Sequence, residues 1–115
     1  MTQKVASCYF WFLVSGATKN TYDLGAVQAL IAKGAYFINA SALTGAMKMG
    51  FDRSDIVACV LALDDSTFYK TMPSQSRPGT FQDVYKTTYD GQNVYLKLQM
   101  TGSAIVISFK EDESP

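Results

Sequence analysis

Histidine is absent from the 115 residues, which removes the side chain that most often moves protons at neutral pH. Acid–base chemistry, if there is any, must use Tyr, Lys, Asp or Glu. Cysteine is scarce: Cys8 and Cys59 are far apart, and no CxxC or Cys/His grouping exists. Zinc sites need several such ligands at close spacing, so the sequence predicts no metal and no other cofactor. The apolar run Cys8 to Val14 (CYFWFLV) has seven residues, far short of the ~20 that span a bilayer. A cytoplasmic protein without a membrane segment is expected. Charge is also sparse, at 17% of residues, with ten Lys plus Arg against ten Asp plus Glu. The chain as a whole therefore lacks the basic bias typical of nucleic-acid binders.

What is present is a globular composition, 48% apolar, at a length that suits one domain over residues 1–115. Charge is distributed unevenly. From Lys70 to Lys110 five basic residues (Lys70, Arg77, Lys86, Lys97, Lys110) face two acidic ones (Asp83, Asp90), a net of +3. The acidic tail at 111–115, with Glu111, Asp112 and Glu113, cancels that surplus. It either solubilises the C-terminus or screens a basic surface.

The first twenty residues read as a separate apolar segment. Lys4 before the run and Ser15-Gly16-Ala17 after it give it the outline of a minimal secretory signal. A buried or dimer-forming strand suits its length better. A helix follows from Tyr22 to Lys33, with Leu24, Val27, Leu30 and Ile31 on one face, Thr21 as cap and Gly34 as stop. Ala35 to Ile38 reads as a short strand. Ser41 then caps a small helix with Leu43, Ala46 and Met47 inward, and Asp52 or Ser54 starts a third helix with Ile56, Val57, Val60 and Leu61 on one side. Cys59 is expected to pack as a small apolar residue. Asp64-Asp65-Ser66 caps a further short turn carrying Phe68, Tyr69 and Lys70, and the breaker-rich loop Pro73 to Gly79 follows.

The hydrophobic period then changes to two. Phe81 to Thr88, Asn93 to Met100 and Ser103 to Lys110 are predicted strands, separated by Asp90-Gly91 and Thr101-Gly102. Helices followed by strands indicate an α+β domain, an antiparallel meander with helices on one face. Val94, Leu96, Leu98 and Met100 face the core, and Tyr95, Lys97 and Gln99 face away. A two-residue turn at Thr101-Gly102 would set Leu98 against Ile105, Leu96 against Ile107, and Ser108 against Tyr95, with Lys110 on the Tyr95 face. A two-residue turn at Asp90-Gly91 would pair Lys86 with Tyr95 and leave Gln82 about 13 Å along the strand. A four-residue loop, Thr87 to Asp90, would bring Gln82 opposite Tyr95 instead. Pattern alone is equally met by a solvated sheet face.

FYKTM at Phe68 to Met72, FQDVY at Phe81 to Tyr85, VYLKL at Val94 to Leu98 and IVISFKE at Ile105 to Glu111 together resemble the MqsR family of bacterial toxins. TYDL at Thr21 to Leu24 and DIVACVLAL at Asp55 to Leu63 extend the likeness, so that residues 21–110 are covered. The resemblance implies a RelE-like fold and an endoribonuclease that cuts single-stranded mRNA, with preference for GC-containing triplets, restrained by a cognate antitoxin. It carries functional roles onto Lys70, Gln82, Tyr95 and Lys110, and it is what favours the four-residue loop. Arg77, Lys86 and Lys97 are the basic residues left to contact substrate. The chain departs from the family at its apolar N-terminus, and at Ala35 to Asn39 and Arg77-Pro78, where relatives often hold other residues.

A second function fits the neutral net charge and the apolar N-terminus: a catalytically silent binding module that docks a protein partner, or a second copy of itself as a homodimer, through the N-terminal strand.

Overall fold

A computed structural model describes residues 19–74 and 77–113; the Cys8 to Val14 run and its two readings lie outside them. Among the described residues three helices, the first two separated by a short strand, pack against a five-stranded sheet. They are α1 (Leu24–Ala32), α2 (Ala40–Lys48) and α3 (Arg53–Leu61). The strands are β1 (Tyr36–Ile38), β2 (Phe68–Pro73), β3 (Phe81–Tyr89), β4 (Gln92–Met100) and β5 (Ala104–Glu111), in spatial order β1-β5-β4-β3-β2. Neighbours β2 to β5 are antiparallel, whereas β1 joins β5 in parallel. The fold is α+β, as the sequence predicts, with a mixed and mostly antiparallel sheet.

Leu24, Val27 and Ile31 of α1 and Ile56, Cys59 and Val60 of α3 pack on Tyr85, Leu96, Leu98, Val106 and Phe109 of the sheet. Two side chains lock the helical layer. The amide of Gln28 donates to the carbonyls of Val60, Leu61 and Leu63 at 3.0, 3.3 and 2.9 Å, tying α1 to the end of α3 and the residues just after it. Asp83, buried on β3, accepts from the backbone N–H groups of Thr21 and Tyr22 at 2.9 and 2.8 Å. Asp23, not Thr21, caps α1, because its carboxylate reaches the N–H of Ala26. Asp52 caps α3 in a full capping box with Asp55.

Four further expectations need correction. Ser41 lies inside α2 and caps nothing there, since the helix starts at Ala40 after Asn39. Met47 and Leu61 are exposed, while Ala42 joins Ala46 in the core. The turn after Asp64 is three residues long, and Phe68–Pro73 is a six-residue edge strand rather than part of that turn. Its alternation is broken by a bulge between Phe68 and Lys70, which hides the period-two signal.

The fourth correction concerns register. The β4–β5 connection is the three residues Thr101 to Ser103 rather than a two-residue turn, so Leu98 faces Val106 instead of Ile105, and Leu96 faces Phe109 instead of Ile107. A bulge at Ile107 makes Val106 and Phe109, three apart, both point into the core. The Ile107 carbonyl accepts from the Ser41 hydroxyl at 3.1 Å, so α2 takes over the outer edge of β5 where β1 stops at Val106. The approach is close enough that only glycine fits at position 45. A Cβ there would stand 2.0 Å from the Phe109 carbonyl oxygen.

Candidate active site

The sheet face away from the helices carries its polar groups in rows, because side chains two apart along a strand share a face and partners on neighbouring strands stand side by side. Lys86 is directly opposite Tyr95, and Tyr95 is directly opposite Lys110. One step along, Lys70 faces Val84, Val84 faces Lys97, and Lys97 faces Ser108. A phenol is thus centred between two lysines, with two more in the next row. Parity predicts the shared face of Tyr95 and Lys110; the three-residue connection and the bulge at Ile107 each shift the register by one, and together they place Lys110, rather than Ser108, directly across from Tyr95.

The β2 bulge brings Lys70 in. Simple alternation from the core-facing Phe68, whose ring meets Tyr85 edge-on at 5.6 Å, would send Tyr69 outward and Lys70 inward. The extra residue turns both toward the cleft. Tyr69 is 50% exposed, with the ammonium of Lys86 4.0 Å and that of Lys70 5.5 Å from its ring centre. Such contacts hold cations at a defined height over an aromatic face.

Tyr69, Lys70, Lys86, Tyr95 and Lys110 line a cleft of about 860 Å³ from the sheet side and Thr44 and Lys48 from the α2 side, whereas Lys97 shares the sheet face but lies outside that lining. Sequence reasoning missed Tyr69 and Lys48. Tyr69 is hidden by the bulge. Lys48 carries no signal except its helical spacing from Ser41 and Thr44, which turns all three to one side.

Burial first, then Tyr69 and Asp112, raises the Tyr95 pKa above the ordinary phenol value, so Tyr95 carries its proton at neutral pH. Lys97 shifts the other way, lowered by burial and then by Lys110 and Lys70. Lysines otherwise distant in sequence therefore feel one another's charge. The Lys110 ammonium sits 5.2 Å from the Tyr95 ring centre.

The remaining candidates stand apart. The β3–β4 connection is the two-residue Asp90-Gly91 turn, with φ of 51° and 79°, and Tyr89 pairs Gln92 across it. The four-residue loop is thereby overturned: Lys86, not Gln82, faces Tyr95. Positive φ at both central residues matches the twist of a tight hairpin, which Asp-Gly accommodates. Gln82 lies four residues from Lys86 along β3, about 13 Å away, buried, opposite Met72 and outside the cleft lining. Arg77 is exposed in the loop before β3, its carbonyl accepting from Thr80, and it too is outside the lining.

A family model described as "Motility quorum-sensing regulator, toxin of MqsA" matches residues 19–111. The chain belongs to this MqsR toxin family. A relative from Escherichia coli (strain K12), "mRNA interferase toxin MqsR", is 33% identical over 88 residues, covering 76% of this chain and 90% of the relative. The family match thus spans every element that builds the cleft, from α1 to β5. Among the described residues no group of His, Cys, Asp and Glu is placed to hold a metal ion, and no helix is long and apolar enough to cross a membrane.

Proposed function

We propose that this chain is an endoribonuclease toxin that cuts single-stranded mRNA, acts in the cytoplasm and is neutralised by a cognate antitoxin. The observation that carries the reading is the row Lys86, Tyr95, Lys110 across three strands, with Lys70 turned into the same cleft. Membership in the MqsR toxin family and likeness to an mRNA interferase support it.

Cleavage without a metal needs the 2′-oxygen to bond to the adjacent phosphorus while the bond to the 5′-oxygen breaks, leaving a cyclic phosphate and a 5′-hydroxyl. The protein must neutralise charge on the phosphate oxygens and move two protons. Lys70 and Lys110 stabilise the phosphorane. Tyr95, protonated at neutral pH, gives its proton to the departing 5′-oxygen, or holds a phosphate oxygen while a lysine ammonium of the cluster supplies that proton. The 2′-proton passes to a lysine of the cluster that is in its neutral amine form, the form that burial and neighbouring cations favour, as burial first and then Lys110 and Lys70 do at Lys97. Lys86 and Lys97 grip flanking phosphates. Gln82 and Arg77 contact RNA beyond the cleft. A preference for GC-containing triplets is part of the proposal.

Purified protein on an unstructured RNA with GCU sites is the test. Cleavage is expected, with loss in Lys70→Ala, Tyr95→Phe and Lys110→Ala. An intact RNA ladder with wild-type protein would favour the silent binding module, including its self-associating form, which sedimentation would then detect.

A further inference from the structure

The acidic tail meets the cleft. After β5 ends at Glu111, the N–H of Asp112 donates to the Asn93 carbonyl at 2.9 Å, which continues the ladder by one rung and fixes the backbone. The Asp112 carboxylate then reaches the Lys86 ammonium at 3.8 Å, with the two side chains only 16% and 27% exposed. Glu111, Asp112 and Glu113 all line the cleft beside Lys48, Lys70, Lys86 and Lys110. A carboxylate on Lys86 occupies the charge that an RNA phosphate would use.

Resting on the nuclease reading above, we propose that Asp112 is a positioning residue that sets RNA affinity: it holds Lys86 over Tyr69 and competes, from within the chain, with a substrate phosphate. RNA must displace the carboxylate before Lys86 can make its contact. Part of each binding event is therefore an exchange of one anion for another, and the counterion release that normally drives phosphate binding is correspondingly smaller. The net zero charge of the chain and a working RNA cleft are then compatible.

The experiment uses the full-length chain and a single-stranded 2′-O-methyl RNA oligonucleotide, which binds but lacks the attacking hydroxyl. Asp112→Asn should bind it roughly five-fold more tightly at low salt, the scale of a partly exposed ion pair. Its log Kd against log salt should steepen by about 0.7, one extra phosphate contact on a single strand. Asp112→Glu should stay near wild type. In a Lys86→Gln background, Asp112→Asn should change nothing, because the two act as one pair; this cycle also separates competition from any change in folding. Equal or weaker binding by Asp112→Asn, with wild type binding normally, overturns the Asp112 proposal and leaves the nuclease reading standing. Failure of wild type and variant alike to bind RNA overturns both.

Discussion

Tyr95 and Lys110 are direct partners on neighbouring antiparallel strands, and the ammonium of one lies 5.2 Å from the ring centre of the other. A phenol that keeps its proton is thereby held next to a fixed cation, the combination that transfer of phosphorus between oxygens requires. Tyr95→Phe keeps the ring and its cation contact and removes only the hydroxyl. Cleavage rate should fall about 10²-fold with RNA affinity nearly kept; equal rates in a single-turnover assay would exclude the phenol from the chemistry.

Lys110→Ala removes the cation and should lower the rate by about 10²- to 10³-fold. It should also raise the Lys97 pKa, since Lys110 is among the causes that lower it. Titration of the lysine side chains by NMR, in wild type and variant, reads that shift directly.

Gly45→Ala is expected to cost about 3 kcal/mol, because the new methyl would meet the Phe109 carbonyl and push α2 off β5. Urea denaturation measures the loss. A variant as stable as wild type would mean that α2 does not approach the strand this closely.

Asp83→Ala leaves the N–H groups of Thr21 and Tyr22 without their acceptor, and should cost about 3 kcal/mol in the same assay. The cleft is on the opposite face of the sheet. Cleavage by the folded variant should persist below its lowered midpoint.

Alkaline pH should destabilise the fold. Burial pushes the Cys59 thiol up to about 11 and burial, with Asp83, pushes Tyr85 up to about 12. The unfolded chain loses those protons near 9.0 and 10.0, so above pH 9 the native state binds more protons than the unfolded one and stability falls as pH rises. Denaturation midpoints at pH 8, 9 and 10 should decline in that order. In a Cys8→Ser background, a thiol reagent should modify Cys59 only as the chain unfolds.

Much of this architecture was legible because local signals agreed: apolar spacing marked α1 and α3, and the switch to period two marked β3, β4 and β5. The shared face of Tyr95 and Lys110 follows from alternation. What alternation cannot convey is a bulge. Lys70 and Tyr69 both reach the cleft, and Val106 takes the place of Ile107 in the core beside Phe109, because a third turn residue and a bulge each shift the parity. The parallel pairing of β1 with β5 joins segments almost seventy residues apart, beyond any local pattern. Gln82 was brought toward Tyr95 by family likeness, against the plainer signal of Asp90-Gly91 for a tight turn.

The irregularity at Ile107 also constrains how this gene can vary. Removing the codon for Ile107 would leave Val106, Ser108, Phe109 and Lys110 in plain alternation, so that the aromatic anchor stays inside and the cleft cation stays across from Tyr95. Single-codon losses should therefore be tolerated at Ile107, as in the loop before β3, and purged from β4, where pairing with β3 has no spare residue and one slip sends every later side chain to the other face.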